Sequence, residues 1–355
     1  LGLFGCLIAC LPVGDGSQGT REPEDTSKEV DLQWRAVDPP AKPDSLAPNL
    51  AVVAGRLAAT WLEDRESDSG GSGHLLRFSR LVDGEWQRPT TIAEGKDFFA
   101  NWADVPAVIE AGDGSLVAHW LAKTGEEPYA YSIFLARSTD VGGSWRSLGR
   151  LNDDATPTEH GFVSWVAEAD AARAFWLDGR AMVEDGPMGL RTAVVREEVS
   201  PSEVLDKRVC DCCATTTAVV DGEPLVAFRD RSESEVRDIA IIRRQSGRWI
   251  PSMRVASDEW VIPGCPVNGP ASAVGGGDLF VAWFTAAADN PRVQAVLSRD
   301  GGASFETPIL IDGDEPWGRV DLVSMGEEGA IVSWLANGPG GARLKLSLVT
   351  PEGKA

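Results

Sequence analysis

A chain of 355 residues is long enough to bury a substantial core in one large domain or two smaller ones. Its 54 acidic against 33 basic side chains leave a formal charge of −21, which argues against nucleic acid and anionic membrane surfaces as partners. The 13 Trp stand against 2 Tyr, and the Trp recur along the chain.

The first ten residues form a short apolar run that closes Leu7-Ile8-Ala9-Cys10. That ending resembles the lipobox of bacterial lipoproteins, which implies a signal segment over 1–10 and lipidation of Cys10. A plain cleaved signal peptide or a buried strand are the other readings. The run is too short to span a membrane, so the expected membrane contact is a lipid anchor alone. Residues 11–29 are polar, charged and rich in Gly, Pro and Ser, and read as a flexible tether. The expectation is export to a bacterial periplasm or cell surface, an oxidising compartment for the remaining cysteines. Residues 30–355 are expected to form one monomeric domain.

Within that domain one strand motif recurs: Leu57 to Trp61, Leu116 to Trp120, Arg173 to Trp176, Leu225 to Arg229, Phe280 to Phe284 and Ile331 to Leu335. Aligned at the last position, the copies lie 59, 56, 53, 55 and 51 residues apart. Each follows an apolar strand and a Gly-containing turn, as in Ala218-Val219-Val220-Asp221-Gly222; Asp-Gly and Gly-Gly between apolar runs mark hairpins, because they tolerate positive φ. Each copy up to Phe284 precedes a third strand, and four of these lead into a turn ending in Trp or Phe, as in Ile133 to Arg137 and then Asp140 to Trp145. A repeat of this length with four strands describes a blade, and six blades give an all-β, six-bladed β-propeller with almost no helix. The blades fall at about 45–95, 98–152, 157–207, 209–258, 261–313 and 315–350. The last lacks an outer strand, and Val30-Asp31-Leu32-Gln33-Trp34 is available to fill it and close the ring.

Two of the outer turns carry a motif. Ser138-Thr139-Asp140-Val141-Gly142-Gly143-Ser144-Trp145 and Ser298-Arg299-Asp300-Gly301-Gly302-Ala303-Ser304-Phe305 lie 160 residues apart, three blades. They resemble the Asp box of sialidase-like (BNR-repeat) propellers, a resemblance of fold covering about residues 30–350. In that family the box is structural, so Asp140 and Asp300 read as turn anchors rather than metal ligands.

Propeller ligands meet the segments that lead into the innermost strands. Here these hold Asn101-Trp102-Ala103-Asp104, Thr158-Glu159-His160-Gly161, Cys210-Asp211-Cys212-Cys213, Cys265-Pro266-Val267-Asn268 and Trp317-Gly318-Arg319. Convergence of Asn101, Asp104, His160, the cysteines, Asn268 and the arginines Arg229, Arg231, Arg237 and Arg319 on one axis makes this face the candidate site, for a small molecule, a glycan or a metal ion. Cys210, Cys212, Cys213 and Cys265, with His160, offer soft ligands for copper or zinc. The other reading pairs Cys212 or Cys213 with Cys265 as a disulfide tying the fourth and fifth blades, a brace suited to an interaction scaffold. The resemblance implies a third function, an exo-acting glycoside hydrolase: an arginine triad clamping a substrate carboxylate, a Tyr nucleophile assisted by Glu, and an Asp acid. Arg229, Arg237 and Arg319 are candidates for the clamp, and Asp104 for the acid. The chain departs from that pattern in the first blade, where Asn49-Leu50-Ala51 replaces the arginine signature. It departs again in its tyrosines, since Tyr129 and Tyr131 both fall in the second blade.

Arg229 stands where three other blades have Trp, and a charge in that apolar frame needs a partner, which Asp230, Asp238 or Asp211 could provide. Of the remaining histidines, His119 reads as packing and His74 as an exposed loop residue. Trp61, Trp120 and Trp176 read as packing between blades.

Overall fold

The structure is a computed structural model and describes residues 35–65 and 73–354. It is a ring of six antiparallel sheets. Blade 1 holds β1 (Leu46–Val53), β2 (Arg56–Asp64) and β3 (His74–Val82), with β4 (Glu85–Trp86) and β5 (Thr90–Gly95) both on β3. Blade 2 is β6 (Ala107–Glu110), β7 (Leu116–Lys123), β8 (Tyr131–Ser138) and β9 (Arg146–Arg150). Blade 3 is β10 (His160–Glu168), β11 (Ala171–Asp178), β12 (Gly189–Val195) and β13 (Glu203–Asp206). Blade 4 is β14 (Thr216–Val220), β15 (Glu223–Arg229) and β16 (Ile239–Gln245), flanked by β17 (Arg248–Trp249) and β18 (Met253–Arg254). Blade 5 is β19 (Ala271–Gly275), β20 (Asp278–Thr285), β21 (Arg292–Ser298) and β22 (Ile309–Asp312). Blade 6 is β23 (Pro316–Ser324), β24 (Ala330–Gly338), β25 (Gly341–Thr350) and β26 (Gly353–Lys354).

The expected all-β, six-bladed propeller is therefore the fold, with short 3₁₀ turns among the described residues at Arg180–Glu184, Ala287–Asp289 and Gly326–Glu328. One detail differs. Blade 6 has an outer strand from the C-terminus, because Gly353 and Lys354 turn back onto Thr350 and Val349. The run Val30 to Trp34 lies outside the described residues, as do Cys10 and the tether.

Strand alternation explains why the second strand of each blade is so apolar. Along β15, Leu225 and Ala227 pack toward blade 5 while Val226 and Phe228 pack toward blade 3, so both faces are buried. Five apolar layers fill the seams from blades 1/2 to blades 5/6. Trp61 and Trp176 are buried as expected, and their indole N–H groups donate to Glu63 and Asp178 at 2.8 and 2.9 Å.

The two motif turns are built alike. Asp140 accepts from the Ser144 amide (2.9 Å) and the Ser138 and Ser144 hydroxyls (2.7 Å each). Asp300 accepts from the Ser304 amide (2.8 Å) and hydroxyl (2.6 Å) and from Ser298 (2.8 Å). These bonds, led by the Ser hydroxyl at the end of each turn, hold both carboxyls down to about 2.

His74 is not the exposed loop residue expected: it opens β3, pairs with Asp64 at 3.2 Å and meets Phe98 edge-on. His119 packs as expected, accepting from Trp165 Nε1 at 3.0 Å, and burial pushes its pKa down to about 3, so the ring is neutral.

Candidate functional site on the central face

Antiparallel pairing sets the start of each innermost strand beside the end of the second, as His160 sits opposite Asp178. One end of the ring therefore gathers two sets of loops: those leading into the innermost strands, and those joining second to third strands. The reactive residues read from the sequence fall there in three sectors.

The first sector joins blades 2 and 3. Phe162 and Val163 bulge out of the β10 ladder just after the paired Gly161, with Phe162 at φ 54°. The amide freed by the bulge donates to Asp104 Oδ2 at 2.8 Å, and a Cβ on Gly161 would run into that carboxyl. Burial pushes Asp104 up to about 8; the Phe162 amide opposes the rise and the Glu159 charge adds to it. Asp104 thus stays protonated at neutral pH. Beside it the Tyr131 hydroxyl donates to Glu159 Oε1 at 2.6 Å. Burial raises both pKa values, with the Asp104 charge adding to the rise at Tyr131 and its hydrogen bond opposing the rise at Glu159.

His160 is fully buried. Its Nδ1 lies 3.1 and 3.0 Å from the Tyr131 and Thr158 carbonyls, and its Nε2 forms a 3.1 Å ion pair with Asp154. Burial disfavours the charged ring, but Asp154 and Asp178 outweigh it and raise the pKa. Arg180 completes the knot, with Nε 2.6 Å from Asp178 and Nη2 2.8 Å from Asp153. His160 therefore sits in a buried ionic cluster that favours its protonated form. It groups with Asp154 and Asp178, not with the cysteines, which corrects the expectation of a shared metal site.

The second sector repeats the first brace three blades on. Arg319 and Val320 bulge out of β23 just after the paired Gly318, Arg319 has φ 56°, and its amide donates to Asn268 Oδ1 at 2.7 Å. Asp104 and Asn268 each stand three residues before the first paired residue of their strands, Ala107 and Ala271. Each braces the next blade's bulge. Asn101 is also a loop brace, since its Oδ1 accepts from the Ala103 amide at 2.8 Å. Arg319 reaches from blade 6 to blade 2, its guanidinium 4.1 Å from the ring centre of Trp102, while Nη1 donates to the Val267 carbonyl at 2.6 Å. Among the described residues it pairs with no carboxylate. Trp102 is 71% exposed and Trp317 45%.

The third sector joins blades 4 and 5. Cys210 bonds Cys213 and Cys212 bonds Cys265, with Cα atoms 5.8 and 6.0 Å apart. The second bond is one of the two pairings expected to tie these blades; the first was not anticipated, although Cys210 and Cys213 have a two-residue spacing of their own. Three arginines prove to be occupied. Arg229 is buried, and its Nε, Nη1 and Nη2 donate to the carbonyls of Asn268 (2.8 Å), Arg237 (2.6 Å) and Phe284 (2.7 Å). It also lies over Trp260, and burial pushes it down to about 9. Its hydrogen-bond partners are main-chain oxygens rather than the aspartates expected, and it does not reach the surface as an anion clamp. Arg231 pairs with both Asp211 (2.9 Å) and Glu235 (2.8 Å), and Arg237 with Glu235 (2.8 Å). Of the four arginines expected at this face, Arg319 alone presents a half-exposed guanidinium without a carboxylate partner among the described residues.

Sequence reasoning missed the Tyr131–Glu159 pair and the exposure of Trp102 and Trp317. The signal for the indoles was available: both Trp lie outside the recurring strand motif, in the loops leading to the axis.

No protein-family model matches this chain, and no curated protein matches it. Its fold is shared with solved structures. An α-L-arabinanase of Penicillium chrysogenum, solved with arabinobiose, is 14% identical over 90% of this chain and 97% of that one, with a TM-score of 0.55. An α-L-arabinofuranosidase of Fusarium graminearum, solved with an iminosugar inhibitor, is 12% identical over 86% of this chain and 93% of that one, at 0.54. A polysaccharide lyase acting on ulvan is 11% identical over 86% of this chain and 79% of that one, at 0.52. At these identities the likeness is one of fold: this chain has the propeller fold of glycoside hydrolases and a polysaccharide lyase.

Proposed function

We propose that the central face binds a glycan, stacking a sugar ring on Trp102 and Trp317 and taking a carboxylate or sulfate on Arg319. The observation that carries this reading is Arg319 lying 4.1 Å over the 71% exposed Trp102. An exposed indole offers an apolar plane for the C–H face of a sugar, and a guanidinium beside it supplies fixed donors for an anionic substituent. The structural neighbours include proteins solved with arabinobiose and with a sulfated glucuronate-containing saccharide, which supports a saccharide as the ligand class. The test is calorimetric titration with ulvan-type, sialylated and neutral arabinan oligosaccharides. Acidic oligosaccharides should bind, and Trp102→Ala should weaken them about tenfold, roughly 1.4 kcal/mol. Equal binding by wild type and Trp102→Ala sinks the proposal.

Hydrolysis is a second reading, favoured by Asp104, protonated at neutral pH beside Glu159; glycoside hydrolysis uses such a pair, one carboxyl as acid and one as carboxylate. It predicts turnover of acidic or arabinofuranosyl glycosides that is lost in Asp104→Asn. Full activity in that variant leaves Asp104 as a brace only.

A further inference from the structure

We infer that the four cysteines form a redox-gated site for one soft cation, Cu(I) or Zn(II), closed as two disulfides and opened by reduction. The sulfurs of Cys210, Cys212 and Cys213 all lie within 4.8 Å of one another, and Cys265 brings its sulfur to the group through Cys212. A tetrahedral ion about 2.3 Å from each thiolate sets the sulfurs about 3.8 Å apart, so the cluster needs only a small adjustment to hold one. Thiolates are the ligands that select soft ions over the hard cations that prefer oxygen.

A second observation points the same way. Arg237 is 3% exposed, and its Nη1 donates to Cys210 Sγ at 3.4 Å. Its buried Nε finds no partner among the described residues. A disulfide sulfur is a weak acceptor, whereas a thiolate or metal-bound thiolate is a strong one, so a buried guanidinium at this position is better matched to the reduced cluster. The two bonds also differ in access. Cys265 is exposed and Cys212 half-buried, while Cys210 and Cys213 are each 1% exposed. A thiol reductant therefore meets the Cys212–Cys265 bond first, and the Cys212 sulfur it frees already lies beside the inner pair.

The stoichiometry is closed. Each disulfide takes two electrons and two protons from a dithiol, which leaves as its own disulfide. The resulting four thiols release protons to the buffer as the ion binds. Unlike the proposed glycan site, this one depends on neither Trp102 nor Arg319.

The test uses the whole chain, as purified and after anaerobic dithiol reduction, titrated with Zn(II) or Cu(I) against a chromophoric competitor. Free cysteines are counted by alkylation and mass spectrometry. The oxidised protein should bind neither ion. The reduced protein should bind one ion per chain and protect all four cysteines from alkylation. Cys265→Ser, at an exposed position, and Cys212→Ser should each weaken binding at least tenfold. Arg237→Gln should weaken it about 10- to 100-fold and raise the pH at which the thiols become reactive. Four reactive cysteines in the presence of one equivalent of either ion would overturn the inference. So would loss of the near-UV circular dichroism on reduction, which would make the disulfides structural braces alone.

Discussion

Replacing Asp104 with Asn isolates the energetic cost of a buried carboxyl at a known hydrogen-bond position. The amide keeps an oxygen for the Phe162 amide, as Asn268 does for Arg319 three blades away, so the brace survives. What changes is the titration. Asp104 has a folded pKa of about 8 against roughly 3.9 in an unfolded chain. The folded state therefore holds a proton that the unfolded state releases across this interval. Its contribution to stability is intact below about pH 4 and declines as pH rises toward 8. Linkage sets the decline near 1.4 kcal/mol per pH unit, on the order of 5 kcal/mol over the whole interval. Urea unfolding followed by Trp fluorescence, on both proteins between pH 5 and pH 8, should show the variant gaining on wild type by about 1.4 kcal/mol for each unit. A stability difference that stays constant with pH refutes the protonated state assigned to Asp104.

Three further outcomes follow from the same geometry. Arg229→Met strips donors from the carbonyls of Asn268, Arg237 and Phe284 and should cost at least about 3 kcal/mol in chemical unfolding, with Arg229→Lys recovering only part of it. Gly318→Ala places a methyl against the Asn268 carboxamide at a φ of 85°; it should lower stability by about 1 to 3 kcal/mol and weaken acidic oligosaccharide binding, because Arg319 follows directly. His160 has a raised folded pKa, so its stabilising charge is complete below the unfolded value near 6.5 and is lost as pH climbs through the folded one. In His160→Gln the stability deficit should therefore shrink with rising pH, and histidine NMR titration of wild type should show this ring deprotonating well above His119.

The blade repeat was legible because it is written in periodicity. Six apolar strands ending in an aromatic or bulky residue must pack on both faces, and that pattern survives wide variation in the loops. The turn motifs were equally legible, since Asp140 and Asp300 bond to groups within a few residues of themselves. The central face was legible only as an address. Arg229 looked for an aspartate because a charge in an apolar strand demands compensation, yet its hydrogen-bond partners are main-chain oxygens, which leave no mark in a sequence. The Tyr131–Glu159 pair joins residues 28 positions apart across two blades, and only the ring brings them together. The cysteine pairing could not be deduced either, because four cysteines admit three connectivities. Gly353 and Lys354 complete blade 6 with too few residues to register as a strand pattern.

The seam between blades 4 and 5 is joined in a way that bears on how the ring comes apart. Cys212–Cys265 crosses it covalently, and Arg229 crosses it with charge-assisted hydrogen bonds to Asn268 and Phe284 over the apolar layer beneath. A propeller opens by parting two neighbours, much as a wreath opens at its weakest tie, and this seam is fastened by three unlike means. Neither heat, urea nor reductant alone cuts all three. Blades 4 and 5 should therefore come away as a pair, and the first protease cut in the oxidised protein should fall elsewhere on the circumference.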